Sequence, residues 1–345
     1  MKSIQNRLKA NSEFILIPLL FVVLFICQHT KVLNNYAMQV IMLSGINIMM
    51  AQSLNIINGM TGQSSLGHAG FMSVGAYASA YITTILLDTS AMSTAAQTGV
   101  FLAATLFGGL VAALCGLLIG VPTLRLKGDY LAIVTLGFCE VIRSIARIVK
   151  TTGGALGLNG IPKMASLFWI FLFVILTIYV CRNFMDSSYG RACMATREND
   201  IAASTMGINI SRYKIIAFVT SAFLAGLAGS MYAHLLRYLH PDVFSYTKST
   251  DFLVYLYAGG VGSISGAILG AFSLTLLPEL LRFLSEWRLV IYGGLLLCII
   301  LFQPMGLFGG KEFAFLKLKT GGVKIVGFSS LRHKKKNPSG QEVGQ

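Results

Sequence analysis

Three groups of side chains in this sequence could do chemistry. The first is a polar set inside an apolar stretch: Asn47, Gln52 and Asn55, then Gln63, Ser64, Ser65 and His68. Gln52 and Asn55 are three apart and share a helical face; Asn47 lies about 140° round from Gln52. Amides in hydrocarbon need partners, so these side chains face protein or water. They either bond between helices or line a pathway. His68 is the only histidine between Lys31 and Asp88, a stretch without a charged residue. An intramembrane histidine is either a proton relay or a hydrogen-bonded structural residue. The second group is Glu140, Arg143 and Arg147, three and four apart on one helical face. It suits an ion pair lining a cavity or the interfacial end of a tilted helix. The third is the polar run 182–213, with Arg182, Asp186, Arg191, Arg197, Glu198, Asp200 and Arg212.

None of this is an enzyme's constellation. No metalloprotease pair of histidines, nucleophile elbow or paired-carboxylate loop occurs. Gly309-Gly310-Lys311-Glu312 looks superficially like a phosphate loop, but Met305 stands where its first glycine belongs and Glu312 replaces the Ser/Thr. The expectation is a chain with no catalytic, nucleotide or metal site. The cysteines Cys27, Cys115, Cys139, Cys181, Cys193 and Cys298 form no C-x-x-C pair and sit mostly in apolar runs, as small hydrophobes do.

The elements that must position these groups follow from composition. Of 345 residues, 55% are hydrophobic and 12% charged, and mean hydropathy is +0.71. Soluble domains carry about 25% charged residues, and disorder requires low hydrophobicity. What remains is an all-α integral membrane protein with many spans. The net charge of +14 gathers at the ends and in loops. The bias of basic residues to the cytoplasmic side explains it without a nucleic-acid partner.

Apolar runs predict spans at about 14–28, 37–57, 63–87, 98–121, 130–149, 167–181, 214–236, 252–277 and 288–304. Nine full spans would leave the basic tail outside, so a count of 8–10 transmembrane helices with broken or re-entrant Gly-rich segments, and both termini cytoplasmic, is expected. Lys2, Arg7 and Lys9 precede the first run, which reads as a retained span, since no small-residue cleavage site follows. Residues 1–310 form the transmembrane region. Residues 311–345, with Lys334, Lys335 and Lys336, read as a basic flexible tail whose role is topological, with contact to anionic headgroups.

Two interruptions stand in corresponding halves of the chain. One runs from Asn58 to Gly70; the other from Gly259 through Gly260 and Gly262 to Gly266. Broken helices in a bilayer must line protein or water, and so point to a transport pathway. The competing reading is glycine serving close packing alone. In 182–213, residues Arg191 to Met206 predict one short helix stopped by Gly207. Such a loop is either a docking element or a plain solvated connection.

The run from Asn58 to Tyr77, NGMTGQSSLGHAGFMSVGAY, resembles the signature of the permease subunits of bacterial branched-chain amino acid ABC importers. Gly128 to Arg143, Thr152-Gly153-Gly154 and Gly157 to Pro162 resemble the LivM type rather than its LivH-type partner. Tyr189 to Ala192, Arg197 to Ala203 with Gly207 to Asn209, Gly259 to Ala271, and Gln303 to Leu307 extend the likeness, which spans about 37–310.

The resemblance implies half of a heterodimeric permease, with a second, LivH-type permease as the other half. It implies two cytosolic ATPases that carry ATP and Mg, a periplasmic or lipid-anchored substrate-binding protein, and a bacterial inner membrane. It implies that 182–213 is the ATPase-coupling loop. Arg191, Arg197, Glu198, Asp200, Ala202, Ala203 and Gly207 are its candidates, and Asn47, Gln52, Asn55, Gln63, Ser64, Ser65, His68, Gly259, Gly260 and Gly262 those of the pathway. Ala202, Ala203 and Gly207 keep the spacing of the E-A-A-x-x-x-G coupling motif, but Ile201 stands in place of its glutamate, after Asp200. Leu, Ile and Val are the expected substrates; urea, short amides or other small metabolites are the alternatives. An ion-coupled carrier would need carboxylates well inside a span, and Glu140 alone comes near that. A channel would need a selectivity ring, and a scaffold would not need broken spans.

Overall fold

The computed structural model describes residues 34–87, 93–123, 129–303 and 306–307. The expected span at 14–28 and the tail 311–345 lie outside the described residues. The rest is almost wholly helical. Helix α1 (Asn35–Leu54) widens into π geometry over Asn55–Met60. α2 (His68–Tyr81) widens likewise over Ile82–Leu86, and α3 spans Thr94–Thr123. α4 (Asp129–Ile148) and α5 (Leu167–Asp186) follow, then the short α6 (Ser188–Glu198) and α7 (Asp200–Thr205). α8 (Ile210–Leu236), α9 (Tyr246–Gly259), α10 (Ile264–Leu280) and α11 (Arg288–Phe302) complete the order. A two-residue pairing of β1 (Leu158–Asn159) with β2 (Tyr238–Leu239) clips two loops together.

Among the described residues six helices are long and apolar enough to cross a membrane: Asn35–Met60, His68–Leu86, Thr94–Thr123, Leu167–Asp186, Ile210–Leu236 and Ile264–Leu284. The chain is a multi-pass membrane protein. Among the described residues, the other expected segments fall short for physical reasons. α4 carries Glu140, Arg143 and Arg147, α9 is halted at Gly259, and the apolar part of α11 is only Val290–Ile299. The run 63–87 is not one helix: residues 61–67 are irregular and α2 begins at His68. The run 252–277 is two helices rather than one, because Gly260 takes φ +125° and Gly262 φ +83°, which no helix continues through.

Contacts along the helices order their directions. His68 at the start of α2 meets Ser221 of α8, and Thr83 beyond the end of α2 meets His234, while Gly108 and Gly116 of α3 meet Ser230 and Ala222. So α2 runs parallel to α8 and α3 runs against both. Asn47 and Gln52 of α1 meet Thr275 and Ile264, so α1 runs against α10. The end of α1, the α6–α7 loop, the gap between α9 and α10, and Leu307 gather on one face, here the loop face. The β1–β2 clip and residues 237–245 lie at the other.

α1 is the hub. Of its apolar window 83% is buried, against 33% for α5, which presents Leu172, Ile175 and Leu176 outward. In lipid, apolar outer surface is no liability, and association depends on close packing of small residues. The α2–α3–α8 contact is built that way. A β-carbon on Gly75 would collide with the carbonyl and Cα of Gly226, which are backbone and cannot swing aside. Gly75→Ala is therefore expected to cost about 1–3 kcal/mol, read as a lowered unfolding midpoint of the detergent-solubilised protein. Gly99→Ala, where nothing lies within 4 Å, should leave the midpoint in place.

Candidate functional site

The first interruption turns irregular backbone back into the bundle, and its amides are satisfied by side chains from several directions. Ser65 donates its backbone N–H to Asn58 Oδ1 at 3.2 Å, Leu66 to Thr135 Oγ1 at 3.1 Å, and Ala69 to Ser249 Oγ at 2.9 Å. Thr61 Oγ1 lies 2.7 Å from the Ile57 carbonyl and 3.1 Å from Gln63 Oε1. Non-helical backbone at membrane depth is stable only when so enclosed. Gln63 and Ser65 are buried and Ser64 is half-buried. The amide nitrogen of Asn58, the hydroxyl of Ser65 and Nδ1 of His68 are buried without a protein partner.

His68 ties three helices together. Its Nε2 lies 2.5 Å from Ser53 Oγ on α1 and 3.2 Å from Ser221 Oγ on α8. The two serines bond reciprocally: Ser53 Oγ donates to the Ser221 carbonyl at 2.9 Å and Ser221 Oγ to the Ser53 carbonyl at 2.5 Å. With both hydroxyl protons so engaged, the proton facing them is the one on Nε2. The partners of His68 are serines and the edge of Phe71, and it is fully buried. This arrangement supports the structural alternative for His68 over the relay.

The second interruption divides its glycines by task. Gly259 permits contact, since a β-carbon there would strike Gly266 and Gly270. Gly260 and Gly262 supply left-handed backbone. Ser263 caps α10 by accepting from the Gly266 N–H at 2.9 Å, and Leu307 donates to the Ala258 carbonyl at 2.7 Å.

The two interruptions meet, and amides of α1 join them. Asn55 Oδ1 accepts from the Gly262 N–H at 2.9 Å, and Asn55 Nδ2 donates to the Ser263 carbonyl at 3.2 Å. Gln52 Nε2 donates to the Ile264 carbonyl at 2.7 Å, and Asn47 Nδ2 to Thr275 Oγ1 at 2.9 Å. All three amides thus serve helix-to-helix bonding here. Gln52 Oε1 is left buried without a partner. Gly59 closes the junction, since a β-carbon on it would lie 2.8 Å from the Gly262 nitrogen.

The loop between α5 and α8 is two helices rather than the single one expected over Arg191–Met206. Asn199 is extended (φ −159°) and its side chain accepts from the N–H groups of Ile201 and Ala202, so it restarts the chain as α7. Gly207, at φ +82°, follows the end of α7. Asp200 is paired with Lys214 at 3.1 Å, and Arg191 donates to the Asp186 carbonyl at 2.5 Å. Glu198 and Ala202 are exposed, and Ala203 is buried beneath α7. Arg197 turns the other way: its Nη1 donates to the Gly59 carbonyl at the first interruption.

Sequence reasoning assigns no docking role to two residues of this loop. Ile201 is 77% exposed and Met206 82% exposed. They are large apolar side chains, Ile201 on α7 and Met206 capping its end, beside residues that are otherwise small or polar, and that mismatch is the available signal. It also passed over Thr135 and Ser249, which accept from the first interruption, Ser53 and Ser221, which meet His68, and Thr275, which meets Asn47.

Glu140 and Arg143 pair at 3.0 Å with their side chains partly accessible, and Arg147 pairs with Asp242 beyond α8. Glu140 also accepts from the Tyr246 N–H at 3.3 Å. The group fastens α4 to residues 237–246. The Arg147 bond holds the Asp242 carboxyl below its ordinary range. A depressed carboxylate stabilises the fold above its unfolded value and loses that contribution as pH falls through its folded value. The exposed pair is expected to give a small, salt-sensitive fall in unfolding midpoint on acidification, which Asp242→Asn removes.

A family model described as the branched-chain amino acid transport system / permease component matches residues 36–300. The chain belongs to this permease family. It is 33% identical over 318 residues to the high-affinity branched-chain amino acid transport system permease protein LivM of Escherichia coli (strain K12). That match covers 82% of this chain and 72% of that protein. The LivM protein of Salmonella typhimurium is 34% identical over 315 residues, 81% of this chain and 71% of its own length. The LivH permease of Escherichia coli (strain K12) is 31% identical over 157 residues, 44% of this chain and 49% of that protein. The matched region of the family includes both interruptions and the α6–α7 loop, so the geometry above belongs to a transport permease. The likeness extends over more of the chain for LivM than for LivH.

Proposed function

We propose that this chain is one half of the translocation pathway of an ATP-driven importer for branched-chain amino acids. A LivH-type permease supplies the other half. Two cytosolic ATPases bind ATP and Mg on the loop face, and a periplasmic or lipid-anchored binding protein delivers substrate at the opposite face. The membrane is the bacterial cytoplasmic membrane and the loop face is cytoplasmic, in keeping with Arg182, Arg191, Arg197, Arg212 and Lys214 around it. From residue 35 onward the helix directions place the start of α1 on the far face and the end of α11 on the loop face. A span at 14–28 would then bring both termini to the cytoplasm.

One observation carries the reading. A short helix with an exposed apolar tip, Ile201 and Met206, is built into a loop whose Arg197 reaches the meeting point of two broken helices. That is what a permease driven by partner proteins needs: a docking element and a route from it to the pathway. The chain performs no chemical step; it holds two conformations whose populations the partners bias.

The test is co-purification of the tagged chain from its native membrane under mild detergents, with the bound proteins identified by mass spectrometry. A second permease and P-loop ATPases are expected. Recovery of this chain alone would overturn the reading in favour of an ion-coupled carrier. Titration of the co-encoded binding protein with leucine, isoleucine, valine and urea then assigns the substrate, and urea binding alone would replace the amino acids.

A further inference from the structure

Several of the loop's polar side chains are engaged within the loop or with the start of α8. Asp200 pairs with Lys214, Arg191 with the Asp186 carbonyl, and Asn199 with the N–H groups of α7. Rings and sulfur fasten α6 to α8 as well: Tyr189 lies 5.8 Å from Tyr213, and Cys193 Sγ lies 3.6 Å from the Tyr213 carbonyl. The loop is therefore a body joined to the base of α8. Arg197 leaves it and reaches the first interruption.

Its surroundings are specific. Nη1 donates to the carbonyl of Gly59, in the wide turn that ends α1. A helix end of this kind has orphan carbonyls and partial negative charge, and both favour a cation. A β-carbon on Gly62 would lie 2.9 Å from Arg197 Cγ, and one on Gly262 would lie 2.9 Å from Nη1. The guanidinium thus lies against glycines of both interruptions, beside the Asn55 bond that joins them. Arginine suits this place because its planar fork can hold a carbonyl while lying flat between two backbones.

We propose that Arg197 is a positioning residue that keys the coupling loop to both interruptions at once, rather than a contact for the ATPase. Loop displacement is delivered through its side chain to Gly59 and Gly262. Because Asn55 holds those segments together, they move as one. This deepens the function proposed above and rests on it. It also separates the loop's tasks: α7 presents the apolar tip to the partner, and α6 presents Arg197 to the bundle.

The test uses the complete importer in proteoliposomes, with leucine as probe and both leucine uptake and ATP hydrolysis recorded. With Arg197→Ala the ATPases are expected to be retained at the wild-type ratio, while leucine imported per ATP hydrolysed falls by about tenfold or more. Arg197→Lys, which keeps a donor for the Gly59 carbonyl, should lie between the two. Gly262→Ala, which pushes on the guanidinium from the other side, should reproduce the loss. A simple structural role would lower yield and both rates together and leave their ratio unchanged. Loss of the ATPases from Arg197→Ala would overturn the proposal and make Arg197 a docking contact. An unchanged ratio in both Arg197→Ala and Gly262→Ala would overturn it as well. If Arg197→Ala gives no monodisperse protein, Arg197→Lys carries the test, and a wild-type ratio there counts against the proposal. The underlying function is judged separately on the wild-type complex: absence of an ATPase from it removes both readings before any variant is made.

Discussion

Asn55→Leu is expected to stop leucine uptake and to lower the unfolding midpoint more than any other single change in α1. The side chain is fully buried and joins two helix interruptions, accepting from the Gly262 N–H and donating to the Ser263 carbonyl. Leucine has similar bulk but leaves both backbone groups buried and unpaired, at about 1–3 kcal/mol each. Gln52→Leu removes one bond, to Ile264, from a side chain whose oxygen already lacks a partner. Its cost should be about half as large. Asn47→Leu frees Thr275 Oγ1, which lies 2.6 Å from the Ala271 carbonyl and keeps that bond, so it should cost least. Thermal unfolding of the three purified variants checks the order. If Asn55→Leu unfolds at the wild-type temperature and transports normally, the junction of the interruptions is not what holds this part of the bundle.

Joint replacement of Ile201 and Met206 by glutamate should detach the ATPases. The two side chains are among the most exposed apolar groups described, and they stand on a helix fixed at both ends, by the Asn199 cap and the left-handed Gly207. Apolar anchors at the centre of an interface typically carry about 2–4 kcal/mol each. The double variant is therefore expected to weaken ATPase binding by at least about two orders of magnitude. Chain abundance in the membrane should hold, because these side chains pack against little else. Co-purification with titrated ATPase reads the effect directly. Ile201→Leu should bind as the wild type does. Undiminished binding by the glutamate variant would place the docking surface elsewhere on the loop face. This variant and Arg197→Ala are predicted to fail differently, one in assembly and the other in transport per ATP.

Sequence alone was enough for the class of protein. An excess of apolar residues with few charges leaves no soluble alternative, and periodic apolar runs locate helices wherever a whole span is uninterrupted, as at Thr94–Thr123 and Ile210–Leu236. Glycines in pairs marked both interruptions, because left-handed backbone and close backbone approach need a residue without a β-carbon. The family likeness was legible too, being carried by short ordered motifs.

The tertiary structure decided what those residues do. A buried amide signals only that a partner must exist; which helix supplies it depends on chain separations of more than 200 residues, as between Asn55 and Gly262. The assignment of Gln52, Asn55 and His68 to helix-to-helix bonds could not be read from spacing along one helix. The split of the loop at Asn199 was missed because an asparagine is tolerated inside a helix and becomes a cap only when the backbone before it is extended. Arg197 shows the difference most directly. The family resemblance makes it a candidate for the ATPase-coupling contact. The folded chain lays it, still solvent-accessible, against the end of α1, because the orphan carbonyl of Gly59 lies within reach and the glycines around it leave room for a guanidinium.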